Sequence, residues 1–77
     1  MSVAVYMMSE YAKRNNIKDG ALLERKKLVS FYLAEKKCSL NSAREFVRTL
    51  IILEILTENS DDALKFNEAR MRELQRS

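Results

Sequence analysis

Asn41, Arg44, Glu45 and Arg48 are the side chains whose types and spacing could do chemistry together. Their separations put all of them on one face of a helix over its first turns. An Asn amide can pair two-pronged with adenine, and an Arg fork matches the two acceptors on the edge of guanine. Ala43, Phe46, Val47 and Leu50 fall on the opposite side and form an apolar stripe. Ser39 stands where an N-cap is needed, its hydroxyl in reach of the Ser42 amide, while Ser42 with Glu45 offers an alternative capping box. Such a helix, buried on one stripe and presenting Asn and Arg on its first two turns, has the surface required to lie in a major groove. Lys36 and Lys37 before the turn, Ser39 at the helix start, and Arg25 and Lys26 on the preceding segment are the expected phosphate contacts.

Other chemistry has few candidates. The chain has no His and one Cys, so it offers no zinc set of recognisable spacing and neither a Ser/His nor a Cys/His pair. Gly20 is the only glycine and cannot make a phosphate-cradling loop alone. The adjacent acids Asp61 and Asp62 are explained as helix-start charges. No enzymatic activity, metal or cofactor is expected.

The elements that must position the Asn/Arg face follow from periodicity. Seventy-seven residues with no Pro and one Gly contain little turn punctuation, which favours long helices over short strands. Four helical segments are expected, at about residues 3–15, 20–37, 39–56 and 61–75, the last with Ser60 as its N-cap. Val3 and Val5 leave a short N-terminal strand open, as in ribbon-helix-helix proteins, but the alternating positions Val3, Val5 and Met7 are apolar where such a ribbon is polar. Leu50 to Leu56 is apolar almost all round, interrupted by Glu54. A helix apolar on every side must be covered on every side. Ile51, Ile52, Ile55 and Leu56, with Leu64, Met71 and Leu74 of the last segment, are therefore expected to form a homodimer interface.

The run SLNSAREFVRTLIILEIL resembles the recognition-helix signature of archaeal helix-turn-helix and winged-helix DNA-binding proteins. Those read Ser, two variable residues, Thr-Ala-Arg-Glu-Tyr, and then a leucine-spaced tail. By the resemblance Ser39 is the cap, Ser42 stands for the usual Thr, and Phe46 for the Tyr. Asn41, Arg44 and Arg48 are then the groove-facing residues. Glu54 replaces the Gly that ends this helix before a wing, and no alternation follows it, so no β-wing is expected. The resulting fold class is all-α: a single four-helix domain over residues 1–77, with a helix-turn-helix-like core and a C-terminal helix for dimerisation.

Charge adds a polarity. Lys and Arg number 14 against 11 acids, a formal net charge of +3, and the cations concentrate in residues 13–48 while residues 49–62 carry acids alone. The expected partner is double-stranded DNA, the expected role a small transcriptional regulator or DNA-associated factor. The alternative is a helical adaptor or small subunit docking a larger protein through the apolar 50–56 patch. Leu40 separates the two, being exposed in the first and buried in the second. An N-terminal stretch without a basic region or cleavage site, and a lone Cys38, point to a cytoplasmic chain with no membrane association.

Overall fold

In the computed structural model, which describes residues 2–76, the chain runs α1 (Val3–Arg14), β1 (Leu22–Glu24), α2 (Arg25–Lys36), α3 (Leu40–Ile52), β2 (Leu56–Glu58), β3 (Ala63–Phe66) and α4 (Glu68–Arg76). Four helices thus accompany a three-stranded antiparallel sheet in the order β1-β3-β2. The all-α expectation is corrected by that sheet, and the absence of a wing by the β2–β3 hairpin.

α1 begins at Ser2, whose side chain accepts from the Val5 amide at 3.2 Å. It buries Ala4, Met7, Met8, Tyr11 and Ala12, so the helical alternative at the N-terminus prevails over a strand. Asn16 then turns left-handed with φ 52°, and Ile17 donates back to the Ala12 carbonyl at 2.9 Å. α2 ends in the same way, at a left-handed Lys37 with φ 48°. Chain direction therefore changes sharply without the Gly that such positions usually demand.

α3 follows directly, capped as expected by Ser39, which accepts from the Ser42 amide at 3.2 Å. Ala43, Val47 and Leu50 are buried and Phe46 half-buried. The stripe locks onto α2 through Phe46, whose ring stacks on Tyr32 at 4.9 Å with planes 11° apart. Tyr32 is itself fully buried and donates its hydroxyl to the Ala4 carbonyl of α1 at 2.9 Å. Burial pushes its phenol far above the ordinary value, so it stays a donor throughout the neutral range. One aromatic pair and one hydrogen bond thus join three helices.

The helix expected over residues 39–56 stops at Ile52. Leu53 caps it, and Glu54 adopts a left-handed backbone with φ 65°. The Glu54 amide donates to the Ile51 carbonyl and the Ile55 amide to that of Leu50, both at 3.0 Å. Buried Ile55 packs into the same core as buried Leu50. This is the hydrogen-bond pattern of a glycine-terminated helix, made here by a glutamate. A non-glycine residue in this conformation costs roughly 1–2 kcal/mol. Glu54→Gly, part of which is offset by the greater freedom of an unfolded glycine, is expected to stabilise the domain by about 0.5–1 kcal/mol. A urea midpoint that rises at unchanged slope would bear this out, and one that falls would show that Glu54 is not strained.

Beyond the stop, Leu56 pairs with Phe66, Thr57 with Lys65 and Glu58 with Leu64. β3 also pairs with β1, Leu23 opposite Leu64. Leu23, Leu56, Leu64 and Phe66 all turn inward onto the helices. Residues 59–62 form the hairpin loop, where Ser60 accepts from the Ala63 amide at 3.2 Å; it caps this turn and not a helix. The last helix starts at Glu68, later than expected, with the Asn67 side chain accepting from the Arg70 amide at 3.1 Å. Asp19 accepts from the Glu68 amide at 2.9 Å and caps α4 from across the fold.

Candidate nucleic-acid interface

The local signals at residues 39–50 place their side chains as the periodicity requires. Asn41, Arg44, Glu45 and Arg48 are all exposed along the outer face of α3. Leu40, at the first turn, is 46% exposed. Between this face, the outer side of α2 and the hairpin lies an open groove, with Arg25, Lys26, Asn41, Arg44 and Arg48 among its lining residues. Five side chains from two elements, named separately from the sequence, thus share one surface.

Lys36 and Lys37 are exposed at the end of α2 and Ser39 at the start of α3, but none of them lines the groove. They sit at the turn between the two helices, one edge of the same region. Among the described residues Lys26, Lys36, Lys37 and Arg44 have no ion pair or side-chain hydrogen bond, so their charges are open to a ligand. Arg48 lies 3.8 Å from Glu45, both exposed; such a pair is worth about 0–1 kcal/mol and is readily exchanged for a phosphate or base.

Arg25 is differently placed. Its guanidinium contacts Glu58 at 2.7 Å and donates through Nε to the Asp61 carbonyl at 3.1 Å, and its amide donates to the Asp62 carbonyl at 2.9 Å. Three bonds from one residue hold the hairpin loop against the start of α2. Arg25 is thus a positioning residue for the hairpin, with less of its charge available than that of Lys26. The loop so held carries Asp61 and Asp62, and Asp62 and the preceding Glu58 of β2 line the same groove as the arginines of α3. No local signal marks this in the sequence, since Arg25 and Glu58 are 33 residues apart.

The residues expected to form a dimer interface divide in two. Ile55, Leu56, Leu64 and Met71 are buried within the single chain, Ile55 at 0% exposure. Ile51 and Leu74 are half-buried, and Ile52 is 71% exposed. The premise of a helix apolar on every side fails because the helix ends at Ile52 and the sheet folds Ile55 and Leu56 into the core. The patch at residues 50–56 is accordingly reduced at the surface to Ile51, Ile52 and Leu53 with the charged Glu54.

Among the described residues, no group of three or more His, Cys, Asp or Glu is arranged to hold a metal ion, and no helix is long and apolar enough to cross a membrane. The groove presents basic and acidic side chains together with Asn41 and exposed aliphatic groups. No family model matches the chain, and neither a curated protein nor a solved structure matches it.

Proposed function

We propose that the chain is a winged-helix-type domain that binds double-stranded DNA, with α3 as the helix that enters the major groove. The observation that carries this reading is the exposure of Asn41, Arg44 and Arg48 on a helix whose opposite stripe is locked into the core. The element order adds to it: helix, strand, two helices joined by a short turn, then a hairpin beside the second of them. A recognition helix must protrude and must be held rigidly, and the stacking of Phe46 on Tyr32 supplies the rigidity.

Phosphate contacts fall to Lys26 at the start of α2 and to Lys36 and Lys37 at its end. The hairpin plays no attractive part, because Glu58, Asp61 and Asp62 repel a polyanion. The role proposed for this surface is that of a small transcriptional regulator.

The test is a salt titration of binding to duplex DNA by fluorescence anisotropy. With three lysines on phosphates, the logarithm of the association constant should fall with that of salt at a slope of about −3, at roughly −0.9 for each phosphate neutralised. A flat dependence, or no binding at low salt, would leave α3 without a nucleic-acid role.

A further inference from the structure

Arg25, Lys26, Arg44 and Arg48 line the groove, and they differ in what they already hold. Among the described residues Lys26 and Arg44 have no ion pair, and Arg48 has only its 3.8 Å approach to Glu45, three residues away on the same helix. Arg25 is paired across the fold instead. Its Nη2 meets Glu58 of β2 at 2.7 Å, and its Nε donates to the Asp61 carbonyl at 3.1 Å. The two side chains are 31% and 59% exposed, so an anion arriving from solvent can reach the pair. Arg25 thus stands next in sequence to Lys26, a proposed phosphate contact, with its own charge matched from within the chain.

We infer that Glu58 is an intramolecular competitor for phosphate at Arg25, holding the guanidinium in the free domain and keeping the affinity for a polyanion low. This competition rests on the DNA-binding role proposed for the groove and adds a regulatory contact to it. A carboxylate and a phosphate are alternative anionic acceptors for one guanidinium, each making charge-assisted hydrogen bonds with it. An ion pair this exposed is weak, so it is not strength that keeps Arg25 in place. Displacing Glu58 would leave its carboxylate unpaired beside the incoming polyanion, and the bond to the Asp61 carbonyl would be lost as well. One phosphate contact is gained and one repulsion appears, so Arg25 stays with Glu58.

Neutralising Glu58 removes the competitor and the repulsion together. Arg25 then becomes a fourth cation for phosphate, beside Lys26, Lys36 and Lys37. The hairpin does not depend on the side-chain pair for its position. The Arg25 amide still donates to the Asp62 carbonyl at 2.9 Å, and β3 still pairs with both of its neighbours.

The test is the salt dependence of binding to random duplex DNA, read by fluorescence anisotropy on the full chain. Four proteins are compared: the parent, Glu58→Gln, Arg25→Ala, and the double variant. With Arg25 intact, Glu58→Gln should steepen the slope by about 0.9, the signature of one additional phosphate, and tighten binding roughly fivefold at about 0.15 M salt. In the Arg25→Ala background, Glu58→Gln should leave the slope unchanged. Circular dichroism matching the parent would show that each variant is folded. If the parent binds and Glu58→Gln has the parent's slope, the competition is overturned and the DNA-binding role stands. Steepening of equal size without Arg25 also overturns it, because Glu58 then acts by its own repulsion. A parent that does not bind duplex at low salt refutes the DNA-binding role, and the competition with it.

Discussion

Phe66→Ala is expected to remove about 3–5 kcal/mol of folding free energy, the usual cost of truncating a buried aromatic ring. Phe66 is 1% exposed on β3, the central strand, and two elements depend on it. Its amide donates to the Ala21 carbonyl at 2.9 Å and its carbonyl accepts from the Gly20 amide at 2.8 Å, tying the segment before β1 to the sheet. The backbone bonds survive the substitution, but the ring that presses the hairpin onto the helices does not. A 77-residue domain has roughly 4–12 kcal/mol of stability in total, so the loss is most of what it has at the lower end. Urea unfolding measures it: at a slope of about 1–3 kcal/mol/M the midpoint should drop by on the order of 2 M. Leu22→Ala, in the same sheet but 56% exposed, should shift stability by no more than about 0.5 kcal/mol. Equal effects at the two positions would mean that the sheet does not seal the core.

That sheet is the part of the fold that could not be read from the sequence, and the reasons are physical. β1 and β2 are three residues each and β3 is four, too short for an alternation of period two to stand out. Leu22 and Leu23 continue smoothly into the apolar positions of α2, so a strand and the helix after it merge into one apparent helix. The greater cause lies at the turns. The scarcity of Gly and Pro argued for few reversals, yet Asn16, Lys37 and Glu54 take the left-handed conformation themselves. At Glu54 the outcome is decided by tertiary packing: burying Ile55 and Leu56 in the core outweighs the local strain.

The exposed face of α3 was legible because its signals are local. The Ser39 cap lies three residues from its partner, and the stripe Ala43, Val47, Leu50 repeats at helical spacing. Once those are fixed, the outward positions of Asn41, Arg44 and Arg48 follow from helix geometry alone. The role of Arg25 could not follow in that way, because its partners Glu58 and Asp61 reach it only through the hairpin. Asp62 likewise looks like a helix-start charge until the hairpin brings it to the groove that α3 also lines. Local patterns located the face, and only the long-range pairing showed the hairpin acids that line the groove beside it.

Arg44→Ala/Arg48→Ala should abolish most sequence-selective binding to DNA while leaving the fold intact. Arg44 has no ion pair among the described residues and Arg48 only the 3.8 Å approach to Glu45, so neither side chain contributes much to stability. A thermal midpoint close to that of the parent is the control. On a duplex selected for tight binding, two arginine–guanine pairs at about 1–3 kcal/mol each make the loss at least ~30-fold. On random duplex the loss should be smaller, because base edges carry the sequence information and phosphates do not. Lys26→Ala should behave the other way: it weakens both duplexes alike and flattens the salt slope by about 0.9, the signature of one lost phosphate contact. The contrast between the two variants separates reading from anchoring on a single surface. Two variants that weaken binding equally on both duplexes would make α3 a basic patch, not a reading helix, and full retention of binding by the double variant would place the DNA contact elsewhere on the domain.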